Sequence, residues 1–98
     1  LHGHNWRVEV TVESDSLDAR GIALDFREIK TALSEVVSPY DHMYLNDVPP
    51  FDGMNPSSEN FARHIYEEME KRVPPPVRVA RVTVWESEDA RAEYFRRA

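Results

Sequence analysis

Two histidines separated by a single residue are the first side chains in the sequence that could do chemistry. They are His2 and His4, with Gly3 between them. Residues two positions apart in an extended strand face the same side, so both imidazoles could approach one metal ion. Neutral imidazole is a common zinc ligand, and a catalytic zinc needs three protein ligands and an open position. The pair predicts part of a zinc site, although two surface histidines near a chain end would have the same sequence.

Asp41 and His42 form a second candidate, in the loop between two predicted helices. Loops on a rigid scaffold commonly present functional groups. A carboxylate next to an imidazole favours the protonated imidazole and so tunes it as a general acid or base. The same dipeptide could also be an ordinary solvated piece of loop.

Glu86 is the third candidate because it follows Val82 and Val84 at alternate positions of a valine-rich segment. If the strand continues, its carboxylate lies on the same face as two core residues. A buried carboxylate needs an Arg, backbone donors or a ligand that donates N–H bonds, and a flat heterocycle with an amino group and a ring N–H would fit. If the strand ends at Trp85, Glu86 lies in solvent instead.

The pattern His-x-His followed by Glu9 also resembles the metal-binding motif of cupins. His2 and His4 are even positions and Glu9 is odd, so in a regular strand its carboxylate projects from the opposite face. No second cupin-like motif follows later in the sequence. The cupin interpretation would therefore require a bulge in the strand.

Hydrophobic periodicity predicts the strands that position these residues. Residues 4–13 alternate between apolar and polar types, which indicates a half-buried strand, and residues 22–24 could return as a short antiparallel partner. The valine-rich segment 77–86 is typical of a strand, and residues 92–96 predict a short final one.

Two helices are predicted between the strands. Asp25 and Glu28 have the form of a capping box, and Pro39 ends the first helix at about Ser38. Asn55 as the cap and Pro56 as the first helical residue begin the second helix. The apolar stripe of the first helix is Phe26, Ile29, Leu33, Val36 and Val37. That of the second helix is Phe61, Ala62, Ile65, Met69 and Val73.

The order strand, strand, helix, helix, strand, strand predicts an α+β fold, an antiparallel sheet with two helices packed on one face. Glu59 and Asn60 in the first turn of the second helix have a structural explanation in the helix dipole. His64 should lie at the edge of the exposed helix face, and we assign it no ligand role.

Composition limits the class of protein. The 98 residues are 41% hydrophobic and 31% charged, with a net charge of -6 and no Cys, which fits one globular domain over residues 1–98. The negative charge disfavours nucleic acid and anionic membranes as partners, and no signal or spanning segment is evident, so we expect a cytoplasmic protein. The absence of Cys excludes disulfides and thiolate chemistry from within these residues.

Several motifs occur together in one order along the chain. They are Leu1-His2-Gly3-His4-Asn5, Leu24-Asp25-Phe26, Asp41-His42 with Tyr44-Leu45-Asn46, Asn55-Pro56 with Glu59-Asn60, and Trp85-Glu86. This combination resembles the 6-pyruvoyltetrahydropterin synthase family, which includes the 6-carboxytetrahydropterin synthases. The resemblance extends from Leu1 to Tyr94 and is far more specific than any of its parts.

The resemblance implies a T-fold whose subunits assemble into trimeric barrels, usually stacked as hexamers, with active sites between subunits. It implies that His2 and His4 are two of three zinc-binding histidines. It also implies that Asp41 and His42 are the acid/base pair and that Glu86 anchors the pterin ring.

The implied substrate is 7,8-dihydroneopterin triphosphate, whose side-chain hydroxyls zinc can polarise. The loop 41–50 is more similar to that of the 6-carboxytetrahydropterin synthases, which supply a precursor of queuosine, than to that of the pyruvoyl branch. The alternatives are 6-pyruvoyltetrahydropterin synthase, a non-catalytic T-fold module that binds a pterin or purine through Glu86, and a different metalloenzyme that uses His2 and His4.

The sequence departs from the family pattern because it has neither the catalytic Cys nor the first zinc histidine. Both are expected before Leu1, together with an N-terminal strand, within about thirty residues as judged from ordinary strand and loop lengths. The 98 residues by themselves are therefore expected to be inactive.

Overall fold

The structure, a computed structural model, describes residues 6–15, 25–40 and 57–96. The elements are β1 (Arg7–Glu13), α1 (Phe26–Val37), a 3₁₀ turn (Ser38–Tyr40), α2 (Ser58–Glu70), β2 (Arg78–Trp85) and β3 (Arg91–Tyr94). The predicted order of elements is confirmed in these ranges, and the partner strand expected at residues 22–24 lies outside them. Neither helix of the described ranges has the length and apolar character of a membrane-spanning segment.

The described strands form one antiparallel sheet in the order β1-β2-β3. The alternation predicted for β1 is confirmed, because Val8, Val10 and Val12 pack against the core while the residues between them are exposed. In the central strand, Val82 and Val84 are completely buried. The sheet therefore presents one apolar face to the helices and one largely polar face away from them.

A β-bulge interrupts the pairing of β1 with β2. Thr11 pairs with Arg81 but Val12 pairs with Val79, so Ala80 is an extra residue on β2. An extra residue changes which face the following side chains occupy. The bulge thus brings Val79 onto the buried face opposite Val12.

The start of α1 follows the predicted capping signal. The Asp25 side chain accepts a hydrogen bond from the Arg27 N–H at 2.8 Å, and Ala32 and Val36 are buried on the inner face of the helix. Phe26 is different, because 74% of it is exposed although its spacing placed it in the apolar stripe. It lies one turn before Ile29, the first residue of α1 that packs against the core.

The predicted cap of α2 was wrong. Ser57, not Asn55, is the N-cap, and its side chain accepts from the Asn60 N–H at 3.1 Å. Asn and Ser are comparable as caps, so the sequence offered two starting points two residues apart. The N–H of Phe61 donates to the Ser57 carbonyl at 2.9 Å, which closes the first helical hydrogen bond.

The cap assignment can be tested by two matched substitutions. We expect Ser57→Ala to lower the free energy of unfolding by about 1 kcal/mol, because an orphan helix N–H loses its acceptor. Asn55→Ala should change it by no more than about 0.5 kcal/mol. Urea denaturation followed by circular dichroism measures both, and a larger loss for Asn55→Ala would contradict Ser57 as the cap.

The buried stripe of α2 contains four of the five predicted residues and one more, and the fifth, Val73, is buried just after the helix ends at Glu70. Tyr66 is also buried, and its hydroxyl donates to the Val79 carbonyl at 3.1 Å. Its ring meets that of Tyr94 edge to face, with centroids 5.0 Å apart. The buried face of α2 is wider than the spacing predicted, because the helix packs on both β2 and β3.

Candidate active site

The described residues next to each predicted site segment lie together at one end of the fold. β1 and β2 are antiparallel with Arg7 opposite Trp85, so the start of β1 lies beside the end of β2. His4 is two residues before Trp6 in sequence, and Glu86 directly follows Trp85. The first turn of α2 reaches the same end, where the Ser58 hydroxyl lies 3.5 Å from the Glu86 carboxylate.

Phe61 lies at the centre of the aromatic packing at this end of the fold. Its side chain is only 2% exposed and contacts the ring of Trp6 at a centroid distance of 5.4 Å. It also contacts the ring of Tyr40 at 5.4 Å, nearly edge-on at 79°. Such tilted contacts between aromatic rings are directional as well as apolar. Because Tyr40 directly precedes Asp41, Phe61 contacts the described flank of two predicted site segments.

Tyr40 makes a second contact with α2. Its hydroxyl lies 2.8 Å from Nε2 of His64, with the two rings almost perpendicular at 87°. Burial lowers the pKa of His64, against the opposing effect of Glu68 and Glu67, and burial raises the pKa of Tyr40. Both groups are therefore neutral at pH 7, and the tautomer of His64 decides which of them donates. The predicted edge position of His64 is confirmed, but its bond to Tyr40 had no sequence signal.

Glu86 lies one residue beyond the end of β2 and its side chain is exposed. Its backbone N–H donates to the Ala90 carbonyl at 2.9 Å within the turn to β3. The expectation of a carboxylate buried among core residues is wrong for the single chain, because the strand ends at Trp85. The sequence did not indicate Ser58, which lies beside Glu86, because a hydroxyl near the start of a helix is already explained by helix capping.

Trp85, the last residue of β2, lies on the polar face of the sheet and contacts arginines of both neighbouring strands. The guanidinium carbons of Arg7 and Arg91, on the two neighbouring strands, lie 4.9 and 5.1 Å from its ring centroid. Arg7 is also paired with Glu9. Cations over an indole ring are attracted to its negative face. These contacts restrain the residue that directly precedes Glu86.

Comparison with known protein families shows to which family the chain belongs. The family model described as 6-pyruvoyl tetrahydropterin synthase matches residues 1–97. The chain belongs to the 6-pyruvoyl tetrahydropterin synthase family. The resemblance stated from the sequence motifs is thereby confirmed.

Individual relatives of this pterin synthase family member carry different names. It is 30% identical over 118 residues to 6-carboxy-5,6,7,8-tetrahydropterin synthase of Aquifex aeolicus, covering 96% of this chain and 73% of that protein. It is 35% identical over 89 residues to dihydroneopterin monophosphate aldolase of Pyrococcus furiosus, covering 91% of this chain and 73% of the relative. The family is thus one of lyase-type enzymes, and its members' names differ in the reaction.

The fold of the pterin synthase family is confirmed directly. The structure of Caenorhabditis elegans 6-pyruvoyl tetrahydropterin synthase superposes with a TM-score of 0.87 at 26% identity, over 98% of this chain and 69% of that one. The chain therefore has the predicted α+β T-fold.

Four of the five predicted site residues, His2, His4, Asp41 and His42, lie outside the described residues. Within residues 6–15, 25–40 and 57–96, no three His, Asp or Glu side chains come together in a group that could hold a metal ion. The zinc prediction thus rests on His2 and His4, and of the five predicted site residues Glu86 is the one that lies in the described part of the chain.

Proposed function

We propose that this chain is the catalytic domain of a zinc-dependent 6-carboxytetrahydropterin synthase that acts on 7,8-dihydroneopterin triphosphate. Its family membership over residues 1–97 supports a pterin substrate, and the Aquifex relative supports the carboxy branch. The observation that carries the proposal is the meeting, at one end of the fold, of Glu86 with the residues that flank His4 and Asp41.

Glu86 is proposed to bind the pterin ring. Its two carboxylate oxygens can accept hydrogen bonds from the amino group and the ring N–H of a pterin, which present donors side by side. The hydroxyl of Ser58 is placed to donate to the same carboxylate and to orient it. Glu86 lies past the end of β2 and its side chain is exposed, so its carboxylate is accessible to a ligand.

His42 is proposed to transfer protons, with Asp41 orienting the imidazole and favouring its charged form. His2 and His4, with a third histidine, would hold zinc, which would act as a Lewis acid on the side-chain hydroxyls of the substrate. The thiolate that the family resemblance implies would come from outside these 98 residues, since they contain no Cys.

We further propose that the active site is completed by a neighbouring copy of the chain in a trimer or hexamer. A pterin anchor works best when the bound ligand is shielded from water, because hydrogen bonds to a carboxylate weaken in solvent. The single chain leaves Glu86 exposed. A second subunit packed against this end would cover it.

Dihydroneopterin monophosphate aldolase activity is the second candidate, because the Pyrococcus relative of that name is 35% identical to this chain. The two candidates differ in substrate and in product. An aldolase should act on dihydroneopterin monophosphate, whereas the proposed synthase needs the triphosphate as leaving group.

Product analysis tests the proposal. The protein, loaded with zinc and including any sequence that precedes Leu1 in its gene, is incubated with dihydroneopterin triphosphate or monophosphate, and products are identified by mass spectrometry. We expect 6-carboxytetrahydropterin, acetaldehyde and triphosphate from the triphosphate. Formation of 6-pyruvoyltetrahydropterin without acetaldehyde would assign the pyruvoyl branch, and turnover of the monophosphate alone would assign the aldolase. Binding of either pterin phosphate without any turnover would favour the alternative of a non-catalytic module that binds pterins.

A further inference from the structure

Tyr40 and His64 form a hydrogen-bonded pair at the point where the chain leaves the 3₁₀ turn. Tyr40 is the last residue of that turn, and the next two residues in sequence are Asp41 and His42. The hydroxyl of Tyr40 lies 2.8 Å from Nε2 of His64, and the two residues are 24 positions apart in sequence. The bond therefore joins the end of the α1 segment to α2.

The helix that receives this bond is firmly held. Phe61 and Ile65, on either side of His64 along α2, are buried against the sheet with 2% and 0% exposure. Buried residues in a close-packed core have little freedom to move. His64 is thus a fixed partner for the hydroxyl of Tyr40.

Two directional contacts act on the same tyrosine. The ring of Tyr40 meets Phe61 at 5.4 Å and 79°, and the ring of His64 at 5.8 Å and 87°. Ring packing restricts tilt but still allows a ring to slide, whereas a hydrogen bond at the para position also fixes the direction of the ring axis. Together they restrain the position of Tyr40, the residue that directly precedes Asp41 in sequence.

We propose that Tyr40 and His64 are positioning residues for the reaction, because their hydrogen bond and the Phe61 contact fix the backbone from which Asp41 and His42 extend. The inference rests on the proton-transfer role proposed for that dipeptide. Proton transfer requires the donor and acceptor to approach within hydrogen-bond distance, so a small displacement of the imidazole lowers turnover. Neither Tyr40 nor His64 needs to touch the substrate.

The chain supplies a matched control in Tyr66. It lies on the same helix as His64, and its hydroxyl donates a hydrogen bond to the Val79 carbonyl at 3.1 Å. Tyr40→Phe and Tyr66→Phe each remove one hydroxyl and keep the ring. Both should lower the melting temperature by a similar amount, about 4–8 °C for a net loss typical of one hydrogen bond. They differ in that only Tyr40 adjoins Asp41.

Steady-state kinetics on the zinc-loaded protein separates positioning from stability. We expect Tyr40→Phe and His64→Leu each to lower kcat about tenfold or more, with KM within about twofold of wild type. The double variant should be no slower than either single variant, because both remove the same contact. His64→Gln should recover part of kcat, since its amide can still bond the hydroxyl of Tyr40. Tyr66→Phe should keep the wild-type kcat.

A second measurement does not depend on turnover. Backbone amide hydrogen exchange at Asp41 and His42, followed by NMR, should be about tenfold faster in Tyr40→Phe and unchanged in Tyr66→Phe, since loss of an anchor promotes local opening. If wild type fails to turn over either pterin phosphate, the proposed function is wrong, while exchange still judges the anchor. Unchanged exchange in Tyr40→Phe, or an equal loss of kcat in Tyr66→Phe, would overturn the positioning role.

Discussion

His42→Ala should lower kcat by about 10²–10⁴-fold, the usual contribution of a positioned general acid or base. The effect should fall on kcat more than on KM, because the imidazole acts when the proton moves and the proposed pterin anchor, Glu86, is untouched. Steady-state kinetics with dihydroneopterin triphosphate over a range of pH measures this. The variant should also lose the limb of the kcat profile that reports ionisation of the imidazole.

Two controls accompany this substitution. Added imidazole should restore part of the turnover of His42→Ala, because the cavity left by the side chain can accept a diffusible base. Asp41→Asn should lower kcat less than His42→Ala, since it leaves the imidazole present but removes the neighbouring charge. A kcat for His42→Ala equal to that of wild type would remove His42 from the mechanism and with it the reason for an anchor at Tyr40.

Most of the fold could be predicted because periodicity reflects burial directly. The alternation of β1 and the stripe of α2 both matched, since period two and period 3.6 each place apolar side chains on one face. The exceptions arise where contacts with neighbouring elements decide whether a residue is buried. Phe26 is exposed because it lies in the first turn of α1, before the residues of that helix that pack against the core. Tyr66 is buried because α2 packs on β3 as well as on β2. The bulge at Ala80 depends on strand pairing, which one strand alone does not encode.

The sequence named candidate site residues, but the geometry around them depends on contacts between distant segments. Short motifs pointed to Glu86 because a carboxylate after two core valines is unusual. The position at which β2 ends depends on its turn to β3, where the backbone of Glu86 bonds to Ala90. The contact of Ser58 with Glu86 and that of Tyr40 with His64 join distant parts of the chain. Neither has a local pattern that could have indicated it.

Aromatic packing around Phe61 joins two segments that lead to predicted site residues. Trp6 and Tyr40 enter from two different segments and pack against one buried ring. Aromatic contacts of this kind act over short distances and depend little on ionic strength, whereas exposed ion pairs contribute little and are screened by salt. The alignment of the predicted site segments should therefore tolerate changes in salt concentration better than a site held together by surface charges.

Glu86→Ala should raise KM by about 10- to 100-fold, which corresponds to the loss of about 1.5–3 kcal/mol from a hydrogen bond to a charged group. The effect should fall on binding, because the pterin ring lies away from the side chain that reacts, so kcat at saturating substrate should stay within about threefold of wild type. Glu86→Gln should show a smaller rise in KM, because its amide keeps one acceptor oxygen but loses the charge. Isothermal titration with a non-reactive pterin would measure the same loss without turnover.

Glu88→Gln is the matched control for charge, since Glu88 is an exposed carboxylate in the same turn between β2 and β3. It should leave both KM and pterin affinity unchanged, because a general loss of negative charge near the site has only a weak, screened effect on the ligand. Pterin binding that is indifferent to Glu86→Ala would exclude this carboxylate as the anchor and favour a metalloenzyme of another kind built on His2 and His4. Equal losses in Glu86→Gln and Glu88→Gln would indicate a nonspecific charge effect, because only Glu86 lies beside Ser58 and directly after the restrained Trp85.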